Sequence, residues 1–267
     1  MKFAILEERR CEAQPGMRAL CASCNAGVVA KCGSKRVWHW AHMGVRNCDP
    51  WWEPETEWHR NWKNRFPSYW QEIRRKAITG DLHIADVETE AGTVIEFQHS
   101  NISPIERSSR VHFYERMVWV VDGTRLKRDL PTFYQAVSNR LPFKSHPATW
   151  LLPIDDAPIL ERWMGSRCPV YIDFGDTPYS EITPENEPIL WRLKFEIDRR
   201  SVTAIPVRLS SFIAQHTTGE KLQGYGHPRA RMIQAMRRRQ GAGTERPPRG
   251  GFEMRPRKQD GRRRRRF

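Results

Sequence analysis

The stretch D-L-H-I-A-D-V-E-T-E-A-G-T-V-I-E-F-Q-H-S, Asp81 to Ser100, decides how this chain is read. Ile84-Ala85-Asp86-Val87 and Val94-Ile95-Glu96-Phe97 have the apolar content of strands. Glu90-Ala91-Gly92 between them has the form of a three-residue hairpin loop, with glycine at the left-handed position. With Ala91 at the tip, Asp86 and Glu96 pair across the strands. Side chains alternate along a strand, so Gln98 shares a face with Glu96. Like charges directly opposite each other destabilise a sheet, and apolar neighbours aggravate the repulsion. A hard divalent cation between them relieves it, and oxygen ligands suit Mg²⁺ or Mn²⁺. The alternative is a surface hairpin whose acids point to water.

The flanking sequence extends the pattern. W-W-E-P-E-T-E-W-H-R-N-W-K-N-R-F-P predicts a helix opening at Pro54 and ending at Phe66-Pro67. On it Glu55, His59 and Lys63 form one polar stripe, and Trp58 and Trp62 an apolar one. A solvated charge face has the same spacing. Tyr69 to Ile78 gives a weak strand. Ser103-Pro104-Ile105-Glu106 is a capping box that starts a helix running to about Met117, with Arg107, Arg110 and Tyr114 on one side. Val118-Trp119-Val120-Val121 then reads as a buried parallel strand, which closes a βαβ crossover. The predicted order is helix, three strands, helix, strand.

Upstream, C-A-S-C-N-A-G-V-V-A-K-C-G-S-K-R-V-W-H-W-A-H spans residues 21–42. Cys21 and Cys24 in C-x-x-C, with His39 and His42 in H-x-x-H, form a donor set suited to tetrahedral Zn²⁺. Cys11, Cys32 or Cys48 could replace a histidine. Val28 to Lys31 and Arg36 to Trp38 read as two short strands turned at Gly33-Ser34. A module this small needs such a staple to fold, and clustered cysteines in a chain without a signal peptide point to metal rather than disulfides.

The net charge of +14 is concentrated at one end. From Thr217 to Phe267 there are 16 Lys and Arg against 4 Asp and Glu, which leaves about +2 for residues 1–216. Arg237, Arg238, Arg239 and the run Arg262, Arg263, Arg264, Arg265, Arg266 stand among Gly and Pro, a composition that predicts a disordered tail suited to polyphosphate. A solubilising tail is the alternative. No run of eighteen apolar residues occurs, so a cytoplasmic protein without a membrane partner is expected. Residues 124–216 predict a helix over Thr132 to Arg140 and strands at Val170 to Ile172 and Leu190 to Leu193, extending the core and covering one sheet edge.

C-A-S-C with H-W-A-H, E-T-E-W-H-R-N-W-K, I-A-D-V, V-I-E-F-Q-H-S-N-I-S, R-V-H-F-Y and V-W-V-V-D-G occur in this order over about residues 18–123. In these motifs the chain resembles the CoiA-like competence proteins of the P-D…(D/E)-x-K nuclease superfamily. The resemblance implies an α/β fold with a mixed sheet. It would comprise a zinc-ribbon-like module (1–49), a restriction-endonuclease-like αβββαβ core with an extension (50–216) and the basic tail (217–267). It implies that Asp86 and Glu96 hold Mg²⁺ or Mn²⁺ with the Phe97 carbonyl, and that Glu55 is a helix acid directed at the metal's water shell. The superfamily's lysine position holds Gln98, which can orient water but carries no charge; Lys63 or His59 would supply the cation or base. Arg110 and Tyr114 would bind a neighbouring phosphate, or Arg110 is an ordinary helix-surface charge. The activity implied is metal-assisted hydrolysis of DNA phosphodiesters, in competence, recombination or defence. The other outcome is a DNA-binding protein that keeps the fold without cutting.

Overall fold

Deeply and partly buried positions alternate along Leu82–Glu88 and over residues 201–206. The computed structural model describes residues 1–44, 48–51, 53–77, 80–176, 187–195 and 200–227. Two sheets organise them. The first, ordered β2-β1-β3-β4-β5 and antiparallel throughout, contains β1 (Phe3–Leu6), β2 (Arg9–Glu12), β3 (Arg18–Leu20), β4 (Gly27–Lys31) and β5 (His39–His42). Its small core is built on Ala4, Val28 and Trp40. The strand expected at Arg36 to Trp38 starts three residues later, so that Lys31 faces His39 and Val28 faces His42.

Between the sheets lies α1 (Glu57–Lys63), capped by Thr56, whose hydroxyl accepts the His59 amide. The helix begins three residues beyond the expected Pro54, because Thr56 can cap and proline cannot. There follow β6 (Gln71–Lys76), β7 (Leu82–Glu88), β8 (Val94–Gln98), α2 (Pro104–Tyr114) and β9 (Met117–Asp122). The expected order of helix, three strands, helix and strand is therefore observed. Gly92 takes φ 72 at the hairpin tip, and the Glu106 amide donates to the Ser103 hydroxyl at 3.1 Å. The helix α2 stops at Tyr114 because Glu115 turns left-handed (φ 58).

The remaining elements are α3 (Asp129–Ser138), β10 (Lys144–Ser145), β11 (Ala148–Pro153), α4 (Pro158–Trp163), β12 (Val170–Asp173), β13 (Ile189–Phe195), β14 (Ser201–Arg208) and α5 (Leu209–Thr217). They enlarge the main sheet to nine strands, ordered β10-β11-β14-β13-β12-β9-β8-β7-β6. Only β8, β9 and β12 run parallel to their shared neighbours. Every residue of β8 and β9 is buried, as expected of strands covered on both faces. One face packs Trp119, Trp150 and Trp191 against Phe133 of α3 and Trp163 of α4; the other packs Phe97 and Val120 against Trp62 of α1 and Phe212 of α5.

Gly123, just past β9, is closely enclosed by side chains. A Cβ there would lie 2.5 Å from the Phe174 ring and 2.7 Å from Ile172. Gly123→Ala should cost about 1–3 kcal/mol through overpacking, read as a fall of several degrees in Tm; an unchanged Tm would show that Phe174 can move aside.

The basic tail expected from Thr217 begins later. Val207 bridges Gly224, the Ala148 amide donates to the Tyr225 carbonyl at 2.6 Å, and the His227 amide donates to Ser145 at 3.0 Å. Tyr225 and His227 are buried, and these two anchors hold a segment whose average composition is polar. Arg237, Arg238, Arg239 and Arg262 to Arg266 lie outside the described residues, as does Ile78 at the end of the expected strand.

Candidate active site and metal cluster

The hairpin β7–β8 pairs Val87 with Ile95 and Glu88 with Val94, and the same register carries Asp86 opposite Glu96. There the backbone ladder stops. The Asp86 amide donates to Glu96 Oε1 at 3.2 Å, and the Phe97 amide donates to Asp86 Oδ2 at 3.0 Å. Each carboxylate thus takes the amide that the opposite strand would have used. The β6–β7 ladder skips the same rank: Gln71 pairs with Val87 and Ile73 with Ala85, while Glu72 between them adopts φ 51. The rank therefore brings Glu72, Asp86 and Glu96 together on three neighbouring strands. They line a cavity of about 70 Å³ together with Asp49, Glu53 and Glu55, and the cations Lys63 and Arg110 lie on its wall.

Four of these acids fall into two groups. Glu55 and Glu72 stay ionised. Burial would raise both, but Lys63 Nζ lies 2.7 Å from Glu55 and 3.0 Å from Glu72, and Arg60 grips Glu55 at 2.9 Å, so both carboxyls are held below their ordinary range. Burial would likewise lower Lys63, yet Glu72, Glu55 and Asp86 hold its ammonium above its ordinary value. Asp86 and Glu96 move the other way. Burial raises Asp86 against the pull of Lys63 and His59; burial and then the charge of Asp86 push Glu96 up to about 8, although Arg110 Nη1 lies 3.0 Å away. Carboxyl pairs driven apart in this manner mark acid–base or cation sites.

The expected site residues are distributed unevenly. Asp86, Glu96, Glu55, His59 and Lys63 all line the cavity. His59 Nε2 lies 2.5 Å from the Phe97 carbonyl and Nδ1 lies 3.2 Å from the Thr56 hydroxyl, so both ring nitrogens are engaged and the side chain positions the strand. Gln98 is buried; its Nε2 donates to Glu53 Oε1 and, at 3.2 Å, to the Ser100 carbonyl. Arg110 is also buried, donating to Glu96, Glu106 and the Trp51 carbonyl. Arg110 is therefore not the ordinary helix-surface charge of the alternative reading but a buried counter-ion for Glu96, since the buried carboxylate attracts the nearest guanidinium. Tyr114 is buried beside it.

Three contributors escaped the sequence reading. Glu53 and Glu72 reach the cavity from a loop and from an irregular strand. Asp49 accepts from the Ile84 amide at 3.2 Å and faces His83 Nδ1 at 3.2 Å. The only sequence signal was negative: acids in W-W-E-P and in Q-E-I have no place in an apolar core without a role.

The metal cluster corrects the expected ligand set. Cys21, Cys24, His42 and Cys48 bring their ligand atoms within 4.8 Å of one another. His42 Nε2 lies 3.3 Å from Cys24 Sγ and 3.6 Å from Cys48 Sγ. A tight turn at Asn25 (φ 58) presents the first pair, with the Ser23 amide donating to Cys21 Sγ at 3.4 Å. His39 is not part of the cluster; its Nδ1 lies 2.9 Å from the Val37 carbonyl. The reason is strand geometry: His39 and His42 are three apart on β5, so they point to opposite faces. Three sulfurs and one imidazole nitrogen are compatible with structural zinc.

No helix among the described residues is long and apolar enough to cross a membrane. A profile of the family described as Competence protein CoiA, N-terminal domain, matches residues 9–50, which include all four cluster residues. No curated protein and no solved structure matches the chain.

Proposed function

We propose that this protein is a divalent-metal-dependent DNA nuclease of the kind that resembles the P-D…(D/E)-x-K superfamily, working in competence-related DNA handling. The convergence of Asp86 and Glu96 in one buried cavity carries the reading. The donor set fits a hard cation: both groups offer carboxylate oxygens, burial raises both and the charge of Asp86 adds to the rise of Glu96, and Glu53 Oε2 and Gln98 Oε1 nearby are buried without a hydrogen-bond partner. Asp86 and Glu96 would hold Mg²⁺ or Mn²⁺. The bound cation supplies charge for a phosphoryl group and makes water acidic near neutral pH.

The chain's own residues do the rest. Arg110 offsets the charge of Glu96 and anchors it to α2. His59 fixes the Phe97 carbonyl, and with it the residue next to Glu96 whose amide donates to Asp86. Lys63 keeps a permanent positive charge whose attraction reaches Asp86. Gln98 steadies Glu53 at the cavity wall. The match of residues 9–50 to a competence-protein domain and the ordered motifs of residues 18–123 support the biological setting.

One observation favours a second reading, a DNA-binding protein that does not cut. Lys63 is held protonated between Glu55 and Glu72, and Gln98 is an amide tied to Glu53, so neither can serve as a proton acceptor. Incubation of plasmid and single-stranded DNA with Mg²⁺ or Mn²⁺ separates the two. Cutting should require the cation and fall about 100-fold or more in Asp86→Ala and Glu96→Ala, while both variants keep their DNA binding. Binding without cutting by the parent establishes the second reading.

A further inference from the structure

We infer that the loop Thr124 to Arg128, at the carboxyl end of β9, holds the phosphate backbone of DNA beside the acid cavity. This rests on the nuclease reading and names its substrate contact. Three observations carry it.

The first is position. The strands β8, β9 and β12 run parallel, and ligands of open α/β sheets bind outside the carboxyl ends of such strands. A second cavity, of about 30 Å³, opens there, lined by Ser100, Asn101, Asp122 and Arg125 among others. Gln98 joins it to the acid cavity, because the same Nε2 donates to Glu53 on one wall and to the Ser100 carbonyl on the other. A strand of DNA reaching the acids from this side would pass the loop.

The second is uncompensated charge. In T-R-L-K-R, Arg125, Lys127 and Arg128 are exposed, and none forms an ion pair among the described residues. The neighbouring cations are already engaged: Arg162 with Asp129, Arg110 with Glu96 and Glu106, Lys63 with Glu55 and Glu72. The neighbouring acid does not cancel the loop either. Asp122 Oδ2 lies 2.7 Å from His99 Nδ1, and its Oδ1 accepts the Thr124 amide at 2.8 Å and the Thr124 hydroxyl at 2.6 Å.

The third is preorganisation. Asp122 pins the start of the loop, the Gly123 amide donates to Asp173 at 2.8 Å, and the Asp129 amide donates to Leu126 at 2.9 Å. A loop whose backbone is already ordered loses less freedom when its cations meet phosphates. An ordinary solvated charge run has no such anchorage at both ends.

The test is a salt series of binding to labelled duplex DNA by the full chain, in buffer without divalent cation so that nothing is cut. The triple variant Arg125→Ala, Lys127→Ala, Arg128→Ala is expected to lower the slope of log affinity against log salt by about 2–3, at about 0.9 per lost phosphate contact. Affinity at moderate salt should fall about 10- to 100-fold. Arg125→Lys with Arg128→Lys should keep the parent slope, since phosphate contact needs the charge. All variants should share the parent's Tm, because the three side chains are exposed. An unchanged slope in a triple variant of normal Tm overturns the inference and leaves the nuclease reading standing. A parent chain that fails to retain DNA overturns both.

Discussion

Replacing Cys48 by serine should abolish zinc retention, whereas His39→Ala should leave it intact. Elemental analysis of the parent is expected to find close to one zinc per chain, as it should for His39→Ala. The expectation follows from β5: its register turns His42 toward Cys21, Cys24 and Cys48, while His39 bonds to its own loop. The small sheet buries little beyond Ala4, Val28 and Trp40, so its folding leans on a metal whose binding free energy is of order 10 kcal/mol in comparable small modules. Loss of Cys48 should also be felt in the acid cavity. The next residue, Asp49, lines that cavity and holds β7 through the Ile84 amide. Cys48→Ser should therefore show early loss of β signal on heating and weaker metal-dependent cutting together. Zinc retained in Cys48→Ser and lost in His39→Ala would restore the H-x-x-H pairing.

The hairpin was legible because its information is local. Two apolar runs, a glycine at φ 72 and equal spacing from Ala91 suffice to place Asp86 against Glu96. The capping box at Ser103 and the fully apolar β9 were legible for the same reason. What escaped depends on where strands begin or on partners far along the chain. A three-residue shift of β5 exchanged His39 for Cys48, which no fixed spacing connects to Cys21 and Cys24. Arg110 was placed on the correct helix face, but its partner Glu96 comes from another element, so a buried counter-ion looked like a surface charge. Glu72 faces the cavity only because β6 leaves its ladder for one residue. Tyr225 and His227 were hidden in a polar average, although two anchors are enough to hold a short segment against β14 and β10.

Without divalent cation but with its zinc in place, the protein should lose stability as pH rises from about 5 to about 8. Glu96 sets the sign. Burial and Asp86 hold its carboxyl at about 8 in the folded state, against about 4.3 in an unfolded chain. Across that window the native state keeps a proton that the unfolded state has released, so unfolding becomes more favourable with pH, by up to about 1.4 kcal/mol per unit. Asp86 is shifted in the same direction by burial. Mg²⁺ or Mn²⁺ reverses the trend, because a cation competes with protons for the same oxygens and binds best when both carboxyls are ionised. Added cation should therefore raise Tm little near pH 5 and by several degrees near pH 8. Glu96→Gln removes the titrating group while its side-chain oxygen can still accept from Arg110, so the variant should show a flatter Tm–pH curve and lose most of the cation response. A parent curve as flat as that of Glu96→Gln would mean that the Glu96 carboxyl is not raised, and a full cation response in the variant that the two carboxyls do not share an ion. The acid cavity would then be a structural network stabilised by Lys63 and Arg110 alone.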